Sequence, residues 1–159
     1  VIMIEPDRKN IKAIEYRRQR LINEWGLDRD SLQVLPYAVS DKSTRGIVTN
    51  DDNSANLGTR MQVSETDDDG ELIEVVALDD VIDDPITYLK ADIEGFEYRM
   101  LLGAERIIKE YKPKLGICIY HNAVDFYSIP LLIKEFNPDY RLMIRHYTSQ
   151  LYDTILYAW

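Results

Sequence analysis

The chain holds a single cysteine, Cys118, among 159 residues. An intrachain disulfide and a cysteine-built zinc site are therefore both excluded. Cys118 lies in the apolar run Leu115-Gly-Ile-Cys-Ile-Tyr120, where a buried core thiol is expected rather than a nucleophile. Basic residues are also short: 19 Lys and Arg face 28 Asp and Glu, a formal net charge of −9. Such a chain is not expected to bind nucleic-acid backbones or an anionic membrane surface. A nucleotide cofactor, which binds locally, is not excluded. Long hydrophobic runs are missing, the longest being about six residues around Ile117–Tyr120 against the ~20 of a spanning helix. No Asn-x-Ser/Thr sequon and no signal peptide occur, which fits a cytoplasmic protein. The seven glycines supply no glycine-rich phosphate loop.

What is present is an alternation of strands and helices. Val1–Ile4 reads as a strand, and Asp7 as the N-cap of a helix over Asn10–Trp25, with Gly26 closing it. Ile11, Ile14, Leu21, Ile22 and Trp25 follow helical spacing there. Leu32–Val39 reads as one strand. Gly46–Asn50 suggests a short strand, Asp51–Gly58 a polar loop, and Asp67-Asp-Asp-Gly70 the turn of a hairpin between Met61–Ser64 and Leu72–Val76. Leu78–Ile82 reads as a helical turn, Ile86–Ile93 as a strand, Glu97–Glu110 as a helix and Lys114–His121 as a strand. Val124–Phe136 follows as a helix perturbed at Pro130. Tyr140–His146 and Thr154–Trp159 are too close for a helix between them, so an antiparallel hairpin is expected. With no linker or repeat, residues 1–159 are expected to form a single α/β domain with a mostly parallel sheet.

In such sheets ligands bind beyond the carboxyl ends of the strands. The residues at those ends are Glu5, Ser40 and Asp41, Asp92 and Glu94, His121 and Asn122, and His146. All are polar, and both histidines are among them. Glu5 has the placement of a carboxylate that binds a ribose diol, although Glu5-Pro-Asp7 also serves as a plain helix entry. The string Lys90-Ala-Asp-Ile-Glu-Gly-Phe-Glu97 drives three carboxylates and a glycine into a strand-to-helix transition. That exceeds what a helix cap needs. Asp92 and His121 are candidate proton acceptors, with Glu94 orienting one of them, and Arg145 and His146 are weaker candidates for contact with substrate. Asp92, Glu94, His121 and His146 also have the chemistry of metal ligands, but no compact ligand motif supports a metal, and none is expected. Glu65-x-Asp67-x-Asp69-Gly70 fails as a calcium loop at its first position, Glu65, and its twelfth, Val76.

Taken together, Glu5-Pro6-Asp7, Ala38-Val39-Ser40-Asp41, Val76-Ala-Leu-Asp79, Lys90–Glu97, Leu102-Gly-Ala104, Lys112-Pro-Lys-Leu115 and Tyr120-His121 resemble the FkbM-type methyltransferases. The resemblance implies a Rossmann-like class I methyltransferase sheet using S-adenosylmethionine to methylate a hydroxyl, often on a sugar or secondary metabolite. By that similarity Glu5 binds the cofactor ribose, Ala38, Val39 and Ser40 line the adenine pocket, and Asp92 stands beside the methionine end. The family's first strand, its glycine-rich turn and the helix after it have no counterpart here. The domain is therefore expected to be N-terminally incomplete, with two sheet edges left exposed and open to homo-oligomer formation. Acceptor specificity is expected from Gly46–Ile73 and from upstream residues. Two other readings remain open from sequence: a nicotinamide-dependent oxidoreductase, and a non-catalytic domain or inactive fragment of the same fold.

Overall fold

The computed structural model of the chain describes residues 1–49, 60–62, 71–150 and 152–159. The expected loop at Asp51–Gly58, the turn at Asp67–Gly70 and most of the loop beginning at Glu65 lie outside the described residues. The chain divides into two compact units, Val1–Ala38 with Ser43–Val75, and Val39–Lys42 with Val76–Trp159.

In the first unit, β1 (Ile2–Ile4) leads into helix α1 (Arg8–Trp25). Asp7 caps α1 by accepting the Lys9 N–H at 2.6 Å, and Gly26 ends it at φ 67°, the left-handed turn that glycine adopts without a Cβ penalty. Ile11, Ile14 and Ile22 are half-buried, whereas Leu21 and Trp25, expected on the same face, are exposed, Trp25 by 81 %. The expected strand Leu32–Val39 is two strands, β2 (Gln33–Leu35) and β3 (Ala38–Val39). Pro36 separates them, because it has no N–H to give to a ladder. β2 pairs in parallel with β1, while β3 belongs to a second sheet of order β3-β6-β4-β5, in which β4 is Thr44–Thr49, β5 Arg60–Gln62 and β6 Glu71–Val76. The expected hairpin partners β5 and β6 are thus not neighbours. β4 lies between them, antiparallel to both.

The second unit holds α2 (Leu78–Val81), β7 (Tyr88–Ala91), α3 (Glu97–Leu102), α4 (Glu105–Tyr111), β8 (Lys114–Cys118), α5 (Asp125–Phe136), β9 (Leu142–His146) and β10 (Thr154–Ala158). Its sheet runs β7-β8-β10-β9. β7 and β8 are parallel, and β10 is antiparallel to both β8 and β9, which gives the expected C-terminal hairpin. In this sheet β7, β8 and β9 run the same way and β10 alone runs against them, as expected of a mostly parallel sheet closed by an antiparallel hairpin. Short connections, β9 to β10 above all, favour antiparallel return over a crossover. β1 pairs only with β2, and β7 only with β8, among the described residues.

The core of this unit is aliphatic. Met100 and Leu101 of α3, Ile107 and Ile108 of α4, Ile129 and Ile133 of α5, and Leu115, Ile117 and Leu156 of the sheet are almost wholly withdrawn from solvent. Each such side chain contributes roughly 1.5–3 kcal/mol relative to exposure. The expected helix Glu97–Glu110 is broken into α3 and α4 at Gly103-Ala104. A Cβ on Gly103 would stand 2.1 Å from the Ser40 carbonyl oxygen, so only glycine permits the approach. The new N-terminus of α4 is capped from a distance: Asp79 accepts the N–H groups of Arg106 at 2.8 Å and Ile107 at 3.0 Å. Arg106 in turn donates to the carbonyls of Asp79 and Ile82. The Val76–Asp79 motif is therefore a structural clamp.

Candidate functional site

β7 and β8 are parallel neighbours, so the segments leaving them emerge side by side. Asp92, Glu94 and Glu97 come from the β7 exit and His121 from the β8 exit. The link from β7 to α3 turns through two left-handed residues, Glu94 at φ 56° and Gly95 at φ 96°. A Cβ on Gly95 would lie 3.0 Å from Asn122 Nδ2. Asn122 donates from that nitrogen to the Gly95 carbonyl at 3.2 Å and to Asp125 at 3.0 Å. The two strand exits are thereby tied together, which holds the carboxylates against the imidazole.

His121 is the hub. Its Nδ1 stands 2.9 Å from Glu97 Oε1, and its Nε2 lies 3.5 Å from Glu94 Oε2 and 3.7 Å from Asp92 Oδ1. The Nδ1 contact is an ion pair when the imidazole is protonated. Glu97 is fully buried. Its Oε1 accepts the Ile93 N–H at 2.8 Å, and its Oε2 has no hydrogen-bond partner among the described residues. Burial acts to lower the proton affinity of His121, but Glu97, then Glu94 and Asp92, outweigh it and raise the pKa above the ordinary value. Tyr120 donates its hydroxyl to Asp92 Oδ1 at 3.0 Å. Burial and then Asp92 push the phenol pKa upward, so it stays a donor. Cys118 is buried as expected, and burial followed by Asp92 pushes its thiol up to about 12.

The structure brings Asp92, Glu94 and His121 together in the second unit and adds Glu97, Tyr120 and Asn122 to them. Glu97 and Asn122 carried sequence signals, as the last carboxylate of the string and as a polar strand end. Neither signal by itself assigns a role. His146 stands apart at the end of β9, its Nδ1 2.8 Å from Thr154 Oγ1. Arg145 lies over the Tyr147 ring at 5.1 Å. Ser40 is buried and spends its hydroxyl on Asp41 Oδ1 at 2.8 Å. That bond, ahead of burial acting the other way, lowers the Asp41 pKa. Ala38 and Val39 are buried as well. In the first unit Glu5 uses Oε1 to accept the Asp7 N–H at 2.8 Å. Its other oxygen makes no hydrogen bond among the described residues.

The carboxylates and the histidine gather at the exits of parallel strands, the place where α/β sheets commonly bind ligands. The Methyltransferase FkbM domain family matches residues 1–151. The chain belongs to that family. It is similar to methyltransferase FkbM from Methylobacillus flagellatus KT, whose crystal structure was solved at 2.20 Å resolution. The two share 33 % sequence identity and a TM-score of 0.77 over 100 % of this chain. The chain spans 36 % of the length of that protein. No curated protein matches the chain. No helix among the described residues is long and apolar enough to cross a membrane.

Proposed function

We propose that the chain is part of an S-adenosylmethionine-dependent O-methyltransferase, built on a Rossmann-like class I sheet, that methylates a hydroxyl of a sugar or secondary metabolite. The observation that carries this reading is the gathering of buried Glu97, Asp92 and Glu94 around His121. Family membership supports reading the cluster as serving methyl transfer.

S-adenosylmethionine supplies an electrophilic methyl group on a sulfonium. Glu5, with one oxygen unengaged among the described residues, fits the vicinal hydroxyls of its ribose. Ala38, Val39 and Ser40 are assigned to the adenine side by resemblance. Alignment of the acceptor with the methyl group supplies much of the rate, and effective molarities can make such orientation worth ~7–11 kcal/mol. The acceptor hydroxyl must also lose its proton. A positioned base contributes about 10²–10⁴-fold. Asp92 and His121 are the bases within the cluster, with Glu94 beside the same imidazole nitrogen. Glu97 on Nδ1 leaves Nε2 as the face turned toward Asp92 and Glu94, and steadies the imidazolium that forms. Tyr120 fixes the Asp92 carboxylate.

Calorimetric titration with S-adenosylhomocysteine tests cofactor binding. Transfer of isotope-labelled methyl groups to a panel of sugars, polyols and phenols tests the acceptor class. Asp92→Asn is expected to reduce transfer about 10²-fold or more. Binding of a nicotinamide cofactor in place of S-adenosylhomocysteine would overturn the reading in favour of an oxidoreductase. Binding of neither by the folded protein would favour a non-catalytic relative.

A further inference from the structure

The cluster around His121 carries a surplus of negative charge. Asp92, Glu94 and Glu97 face one imidazole, and none of the three forms an ion pair with Lys or Arg among the described residues. Glu97 is the telling member. It is wholly withdrawn from solvent, yet Oε2 has no hydrogen-bond partner among the described residues. A buried carboxylate oxygen left this way is costly unless something positive meets it.

The spacing says what could meet it. One donor atom each from Asp92, Glu97 and His121 lies within 4.8 Å of the others. The Nε2 separations of 3.7 Å to Asp92 and 3.5 Å to Glu94 are too long for hydrogen bonds. Two ligands on one ion, with bonds of about 2.0–2.2 Å, stand roughly 3.0–3.5 Å apart. Asp92, the exposed member of the three, has the freedom to turn its carboxylate toward the other two donors. We propose that Asp92, Glu97 and one nitrogen of His121 bind one divalent transition-metal ion. A mixed set of carboxylates and one imidazole suits Mn²⁺ or Zn²⁺ better than an all-oxygen calcium site. Bound there, the ion neutralises the buried Glu97 and offers an open position to an oxygen ligand such as an alcohol. The inference does not rest on the proposed reaction, because the ion is held by this chain's own residues without cofactor. While it is bound, Asp92 and His121 serve as ligands rather than as free bases.

The test is titration of the chelator-stripped protein with Mn²⁺ alone, following free Mn²⁺ by electron paramagnetic resonance. Saturable binding of one ion per chain is expected. Glu97→Gln and Asp92→Asn are each expected to weaken it by about 10–100-fold, while Asp84→Asn, on an exposed loop, leaves it unchanged. Mn²⁺ is also expected to raise the melting temperature of the wild type and not of Asp92→Asn. Asp92 is partly exposed, so that variant remains informative if Glu97→Gln fails to fold. No saturable binding, or equal binding by wild type and Asp92→Asn, overturns the proposal. Mn²⁺ binding without S-adenosylhomocysteine binding would keep the ion and overturn the methyl-transfer reading. The reverse result would do the opposite.

Discussion

At the scale of single residues, His121 is decided by its surroundings. Its two nitrogens face different partners, Glu97 at 2.9 Å and the pair Glu94 and Asp92 at 3.5 and 3.7 Å. Its pKa is raised in the fold, against burial, by Glu97 and then by the other two. A raised pKa means that the folded state holds the proton more tightly than the unfolded chain. The stability this contributes is complete below the ordinary value of 6.5 and is lost as pH rises through the raised one. In metal-free buffer, urea unfolding from pH 6 upward is expected to show the gap between wild type and His121→Gln narrowing. A gap that stays constant or widens with pH would contradict the ion-pair description. The Lys90–Glu97 string already marked this place in the sequence. What the sequence concealed was that Glu97, the first residue of α3, turns inward and is fully buried. Helical spacing gives a face, but not which of several carboxylates the neighbouring strand exit will cover.

At the scale of elements, the local signals did well where chemistry is local. Asp7 and Gly26 bracket α1 as their capping preferences require. The C-terminal hairpin follows from a connection too short for a crossover. The failures are at long-range contacts. Nothing near Met61 or Leu72 says that β4 inserts between β5 and β6, because strand order depends on pairings distant in sequence. The helix over Glu97–Glu110 has continuous apolar periodicity, yet it breaks at Gly103, where the Ser40 backbone presses in. Gly103→Ala is expected to destabilise the protein by about 3 kcal/mol, since a Cβ 2.1 Å from a carbonyl oxygen forces backbone movement. Asp79→Ala removes the carboxylate that caps α4 through Arg106 and Ile107. A loss of about 1–2 kcal/mol is expected. Thermal and urea melts check both, and a neutral Asp79→Ala would mean that the α4 N–H groups find water instead.

At the scale of the whole molecule, family membership supplies the proposed chemistry and the gathered cluster supplies a place for it. Sequence alone reached the family through several short motifs. In the structure those motifs separate into two kinds. Val76–Asp79 and the glycine before Ala104 hold helices in place, whereas Lys90–Glu97 and Tyr120-His121 build the polar cluster. The fold class was legible because α/β alternation and short hairpins leave strong local patterns. The separate sheet of order β3-β6-β4-β5 was not, because it depends on which strands meet. The chain spans 36 % of the similar FkbM methyltransferase, so cofactor binding is the property that most directly ties this segment to that chemistry. The decisive measurement is calorimetric titration with S-adenosylhomocysteine of the protein that carries this chain, beside its Glu5→Gln variant. The expected result is one saturable site per chain, weakened about tenfold or more in Glu5→Gln by loss of a charge-assisted bond to the ribose. A folded protein that takes up no S-adenosylhomocysteine would contradict the assignment.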